Sequence, residues 1–259
     1  RQQARDSFDS TVSGVDLIVG AKTGSLNLLL YSVFRIGSPT DNISWQAYRE
    51  IADSDDVAWA IPISLGDSHE GYRVVGTTQA FFEHFSFGKK RRLAFSEGEA
   101  FEGTFDAVLG SEVASALGYS VGTEIILAHG VASTSFTKHD NQPFVVVGVL
   151  APTGTPVDQT IHVRLEGIEA MHAGGSTVPI GAFAPACAPA TDFSEPESIT
   201  AFMLGLKSRM STFNVQRQIN QFSGEPLMAI LPGVALSELW QMMSLSLIHI
   251  SEPTRRRGI

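Results

Sequence analysis

Three groups of residues in this chain could carry chemistry: a glycine-bounded turn near the start, a set of histidines in the middle, and a serine between a strand and a helix. The turn, Gly20-Ala21-Lys22-Thr23-Gly24, follows an apolar run from Val15 to Val19 and precedes another from Leu26 to Phe34. Strand, glycine turn, helix is the order that points backbone amides at an anion. A phosphate loop, however, places Lys and then Ser or Thr directly after its last glycine. Here Lys22 and Thr23 come before Gly24 and the required earlier glycine is absent, so the spacing argues against nucleotide binding.

His129, His139, Asp140, His162 and His172 fall in one stretch, two of them at the ends of expected strands, where side chains from different strands can converge. Imidazole and carboxylate together suit zinc or a related transition metal. No His-Glu-x-x-His spacing accompanies them, which favours scattered surface or core histidines over a ligand set. A serine hydrolase needs Gly-x-Ser-x-Gly on a strand-to-helix elbow; Gly110-Ser111-Glu112 sits between strand and helix, but Ser111 reads better as a helix cap. Carboxylates are plentiful, yet no spacing pairs two of them at a cleft. The single cysteine, Cys187, has no partner for a disulfide and no cationic neighbour to activate it. The residues supply no catalytic constellation, and the expectation is a protein that is not an enzyme and holds no cofactor.

At 259 residues the chain can hold one large domain or two modest ones, and its 43% hydrophobic and 17% charged content is that of a folded globule. Residues 246 to 259, Ser-Leu-Ile-His-Ile-Ser-Glu-Pro-Thr-Arg-Arg-Arg-Gly-Ile, resemble a translated sequencing-library adapter and read as a non-native tail. The net charge is -9 for the whole chain and -11 without that tail, which carries three Arg and one Glu. An acidic surface argues against nucleic acid and against anionic lipid, both of which demand a cationic footprint. Against that background Lys89-Lys90-Arg91-Arg92 stands out, as a solvated turn or a docking patch for an acidic partner. No internal apolar run reaches the roughly 18 residues needed to cross a bilayer.

The elements that must position these groups follow from periodicity. Ser44 caps a helix with Ile43, Ala47 and Ile51 at helical spacing; Val57 to Ser64 and Gly71 to Thr77 read as strands joined by a wet loop over Leu65 to Glu70. Phe81, Phe82 and Phe85 give a short helix one bulky face, expected to be core. A strand leads into a helix near Ser111 that ends at Gly118, followed by a strand over Val121 to Gly130. Phe144 to Leu150 is a β-branched strand; Pro152-Thr153-Gly154-Thr155-Pro156-Val157-Asp158 is a stiff turn; Ile161 to Val163 is a strand and Leu165 to His172 a helix. Ala173 to Ser198 reads as a long linker. A strand over Ile199 to Leu206, a helix over Thr212 to Phe222, a strand over Leu227 to Leu231 and a helix from Val234 close the chain, and could complete a sheet begun by residues 15 to 77.

Three runs carry a resemblance to a known family: Asp16 to Lys22 with Leu28 to Phe34 and Pro39 to Ile43; Val108 to Gly130; and Pro143 to His172. They resemble the extracytoplasmic domain of ABC-transporter permeases of the FtsX type, which carry a MacB-like periplasmic core domain and count lipoprotein-releasing permeases among their relatives. The resemblance covers nearly everything from Gln3 to Ser244. It implies an α+β fold: a porter-like subdomain with a mixed β-sheet over residues 3–103 and 195–245, and an inserted, mostly β second subdomain over 104–194.

It further implies a domain facing the periplasm of a bacterial inner membrane, tied to the bilayer by flanking helices before Gln3 and after Ser244. ATP would be hydrolysed by a separate cytoplasmic ABC ATPase subunit, since no phosphate loop is present. A second permease copy and a periplasmic partner protein complete the expected assembly. Gly20, Gly24 and Pro39 are then structural turns, and Thr153, Gly154, Thr155, Pro156 and Asp158 form the loop expected to meet cargo or the second copy. The rival reading is a stand-alone periplasmic binding module, for a metal ion held by His129, His139, His162 and His172.

Overall fold

Leu17 to Ala21 is buried at every residue, and the reason lies in what covers it. Alternate strand residues face opposite ways: Leu17, Val19 and Ala21 enter one apolar cluster with Ala47, Ile51, Val215 and Ile219, while Ile18 enters another with Leu28, Leu29 and Leu236. A strand with helices on both faces needs apolar residues on both, which is why it reads as a continuous run.

The computed structural model describes residues 11–129, 143–174 and 195–250. In chain order its first half comprises β1 (Leu17–Ala21), α1 (Ser25–Ser32), β2 (Ile43–Ser44), α2 (Trp45–Ala52), β3 (Val57–His69), β4 (Tyr72–Thr77), α3 (Ala80–His84), β5 (Ser86–Phe87), β6 (Arg91–Arg92) and β7 (Phe95–Gly98). The middle holds β8 (Asp106–Leu109), α4 (Ser111–Leu117), β9 (Glu124–Ile125), β10 (Ala128–His129), β11 (Phe144–Leu150), β12 (Thr160–Arg164) and α5 (Leu165–Gly174). The chain returns through β13 (Ser198–Ile199), β14 (Ala201–Leu206), α6 (Thr212–Asn220), β15 (Leu227–Ile230) and α7 (Pro232–Ile250).

One mixed sheet runs through the whole described chain in the order β15-β1-β14-β3-β4-β12-β8-β11-β7, with β10 added to β3 and β9 to β11. The fold is α+β. At one end, β1 lies antiparallel between β14 and β15, so the first strand is clamped by two from the end of the chain. At the other, β8 pairs parallel with β11 and antiparallel with β12, over a third cluster in which Val113 and Ala114 of α4 and Ile168 and Met171 of α5 meet Phe144, Val146 and Ile161. The sheet crosses residue 103 without a break: β7 precedes it yet pairs with β11.

β3 joins the two ends, pairing with β14 over Val57 to Ile63 and with β4 and β10 beyond Ser64. This corrects the wet loop expected over Leu65 to Glu70. Leu65, Asp67, Ser68 and His69 are buried strand residues, and only Glu70-Gly71, both with positive φ, make the turn. Their polarity concealed them; pairing on both edges satisfies the backbone and lets the strand continue.

Local signals hold elsewhere. Ser44 Oγ accepts the Ala47 N–H at 3.1 Å, Gly118 ends α4 at φ 68°, and Phe81, Phe82 and Phe85 are core. α7 continues through residues 246 to 250. No helix among the described residues is long and apolar enough to cross a membrane.

Candidate functional site

The loop after β11 is built around one carboxylate. Asp158, 3% exposed, accepts the Thr153 N–H at 2.8 Å, the Thr153 hydroxyl at 2.8 Å and the Gly154 N–H at 2.7 Å. Thr155 caps the 3-10 turn Pro156–Gln159 by accepting the Val157 N–H, with Pro156 at the first position where its missing N–H costs nothing. Thr153 and Thr155 share a hydrogen bond of 2.7 Å, and both are buried. The polar side chains expected at this loop therefore turn inward and satisfy one another, and its outward surface is Pro152, Gly154 and the edge of Pro156. Gly110 lies beneath it, and a Cβ there would meet the Val157 carbonyl oxygen at 2.3 Å and that of Asp158 at 2.4 Å. A glycine before α4 is thus required by the close approach of a second backbone, with Gly110 N–H donating to the Thr160 carbonyl at 2.9 Å. Gly110, and not Ser111, occupies the N-cap position of α4, and no side chain caps that helix; Ser111 is its first residue.

The first turn is as tightly defined. Gly20 packs β1 on α1: a Cβ would meet Leu28 Cδ1 at 2.6 Å and the Tyr31 hydroxyl at 3.0 Å. Gly24 holds φ 123° as the N-cap of α1. The start of that helix faces Glu238 of α7, which accepts from Ser25 Oγ at 2.9 Å, so a carboxylate stands beside its first turn and disfavours an anion there. Pro39 belongs to a different place, a polar pocket of about 350 Å³ with Asp41, Asn42 and Arg73.

The histidines whose side chains are described are held by different partners. His162 is wholly buried, its ring stacked on Phe81 at 4.7 Å, and neither ring nitrogen makes a hydrogen bond of good geometry, the Val108 backbone offering only a weak one. Burial, with the nearby Arg35 cation second, pushes it down to about 3, so it stays neutral and packs as an aromatic. Arg35 is itself lowered to about 10 by burial and by the neighbouring Arg73. His69 is held by the Ile126 carbonyl at 2.7 Å and the Tyr119 hydroxyl at 3.1 Å; His84 stacks on Trp59. His172 Nε2 lies 4.0 Å from Asp67 Oδ2, and His129 is the register partner of Asp67 across β10 and β3. Asp67 is the acidic residue that sequence reasoning missed, because it was read as part of a loop. The side chain of His129, and the whole of His139, Asp140 and Cys187, lie outside the described residues. Among the described residues no group of three His, Cys, Asp or Glu side chains is placed to hold a metal ion.

The described residues thus combine tightly defined turns, a buried polar loop around Asp158, and a sheet in which β1 is flanked by the late strands β14 and β15. The MacB-like periplasmic core domain family matches residues 1–222. No curated protein matches. Among solved structures, the periplasmic region of MacB from Actinobacillus actinomycetemcomitans aligns at a TM-score of 0.52 with 9% identity, covering 89% of this chain and 94% of that one. The extracellular domain of the noncanonic ABC-type transporter YknZ from Gram-positive bacteria aligns at 0.47 with 10% identity, over 83% and 98%. With the family matched over most of its length and the fold shared with the MacB periplasmic region, this chain belongs to the MacB-like periplasmic core domain family.

Proposed function

We propose that this domain is the periplasmic part of an ABC-transporter permease of the FtsX type, working as a relay between membrane helices and cargo. Membership of the MacB-like family supports that reading, and one observation carries it: β1 is hydrogen-bonded on one side to β14 and on the other to β15. A displacement delivered along the segment entering β1, or along α7 leaving β15, is passed directly into the central sheet and through β3 to the far lobe. ATP would be hydrolysed by a separate cytoplasmic subunit, with a second permease copy completing the transporter. No covalent step falls to this domain. Coupling requires its two states to differ in affinity for cargo, because a ligand bound equally by both shifts nothing.

The loop carrying Pro152, Gly154 and Pro156 is the proposed contact for cargo or the second copy. In the full-length permease reconstituted with its ATPase subunit, Pro156→Gly should lower transport several-fold with the melting temperature unchanged. Unimpaired transport would remove the loop from the mechanism. A parent reading frame with a cleavable export signal and no apolar segments of about 20 residues would overturn the permease reading itself.

A further inference from the structure

The run Lys89-Lys90-Arg91-Arg92 forms the tip of the β5–β6 hairpin, and all four side chains are exposed. Gly88 and Lys90 both take φ 57°, closing the turn tightly. The hairpin stands on a fixed base: Ser13 N–H donates to the Ser86 carbonyl at 2.9 Å, Ser86 Oγ donates to the Ser13 carbonyl at 2.6 Å, and Phe85 and Phe87 are buried beneath it. The Arg91 guanidinium lies over the Phe87 ring, 4.5 Å from its centroid, which orients one of the four cations before any ligand arrives.

None of the four forms an ion pair with an acidic residue among the described residues, although the chain carries 27 Asp and Glu and a net charge of -9. Four adjacent like charges repel one another, and a chain this acidic had many ways to neutralise them. On a fixed base, and without an ion pair among the described residues, they make a cationic surface on an anionic molecule. None of the exposed large apolar side chains of the described residues belongs to the segment between residues 79 and 99, so the hairpin itself offers no apolar side chain for insertion into a bilayer. Two guanidinium forks beside two ammonium groups suit carboxylates, which accept bidentate hydrogen bonds from arginine.

We propose that the Lys89–Arg92 hairpin is a docking surface for an acidic segment of a partner protein. Its role is independent of whether the domain serves a permease. Pre-organisation by the Phe87 ring lowers the entropy lost on binding, and the surrounding negative charge repels acidic chains that do not reach the hairpin.

The test titrates the purified chain with fluorescent poly-L-glutamate, and separately with phosphatidylglycerol-containing vesicles. Poly-L-glutamate should bind with an affinity that falls as salt rises, and Lys89→Gln/Lys90→Gln/Arg91→Gln/Arg92→Gln should weaken it roughly tenfold or more. The control Lys207→Gln/Arg209→Gln/Arg217→Gln should change it little. If the fourfold variant fails to fold, Lys89→Gln/Lys90→Gln keeps the Arg91 contact and should still cost about threefold. Equal loss in the control would reduce the effect to diffuse attraction and overturn the proposal. So would the absence of measurable binding, or vesicles binding more tightly than the peptide.

Discussion

The Asp158 carboxylate accepts the Thr153 N–H at 2.8 Å from five residues along the chain, and with it closes the loop that joins β11 to β12. A buried carboxylate serving as acceptor for two backbone N–H groups and a hydroxyl is a strong local bond set, and its removal leaves those donors stranded. Asp158→Ala should therefore destabilise the domain by about 3 kcal/mol, a fall in Tm of roughly 6–12 °C. Calorimetry checks this; a loss near zero would mean that water replaces the carboxylate.

Gly110 sits under the same loop, where a methyl group would collide with two carbonyl oxygens that belong to backbone and cannot swing away. Gly110→Ala should cost about 2–4 kcal/mol and shift the amide resonances of Val157 and Asp158 before those of distant strands. An unchanged denaturant midpoint would show that the loop yields freely.

His162 makes stability depend on pH in a defined sense. Its pKa drops from 6.5 to about 3 on folding, so between those values the unfolded chain binds the extra proton. The contribution is present in full above about 6.5 and is lost as pH falls toward about 3, with a slope approaching roughly 1.4 kcal/mol per unit. His162→Leu should flatten that part of the profile. Urea unfolding across the range checks both statements, and a wild-type profile no steeper than the variant's would remove His162 as the cause.

β15 is an edge of the sheet, and the backbone groups of its Ala229 are occupied by side chains of α6: Ala229 N–H donates to Asn220 Oδ1 at 2.8 Å, and Gln216 Nε2 donates to the Ala229 carbonyl at 3.0 Å. An edge with paired groups is a poor template for another strand. Asn220→Ala with Gln216→Ala should lower stability by about 1–2 kcal/mol and raise concentration-dependent association. Light scattering with amide exchange at Ala229 reads the effect, which would fail to appear if the helix backbone shields the edge unaided.

Much of this architecture was open to reading before any coordinates. Phe144 to Leu150 is a strand whose residue types permit little else, and Ser44 and Gly118 mark helix ends through their own chemistry. The aromatic face of Phe81 and Phe82 was recognisable as core for the same reason. The first strand was expected over Val15 to Val19 and runs instead from Leu17 to Ala21, because pairing with β14 and β15 carries it through Gly20. The expected strand over Val121 to Gly130 shrank to two short pieces, β9 and β10, which find partners in β11 and β3. Local composition cannot foresee which edge will be available. Asp67 and His69 were assigned to a wet loop because a polar residue signals exposure until a neighbouring strand supplies its partners.

The order of apolar and polar residues by itself determined where most strands and helices lie, since burial of a strand or helix face leaves a period in the chain. It also placed four cations in a single turn. Only the tertiary structure decided that β1 is flanked by β14 and β15, that Asp158 turns inward, and that His162 and His172 lie in different surroundings. Those outcomes depend on contacts between residues far apart in sequence, whose strength is set by desolvation and geometry that exist only once the sheet has closed around them.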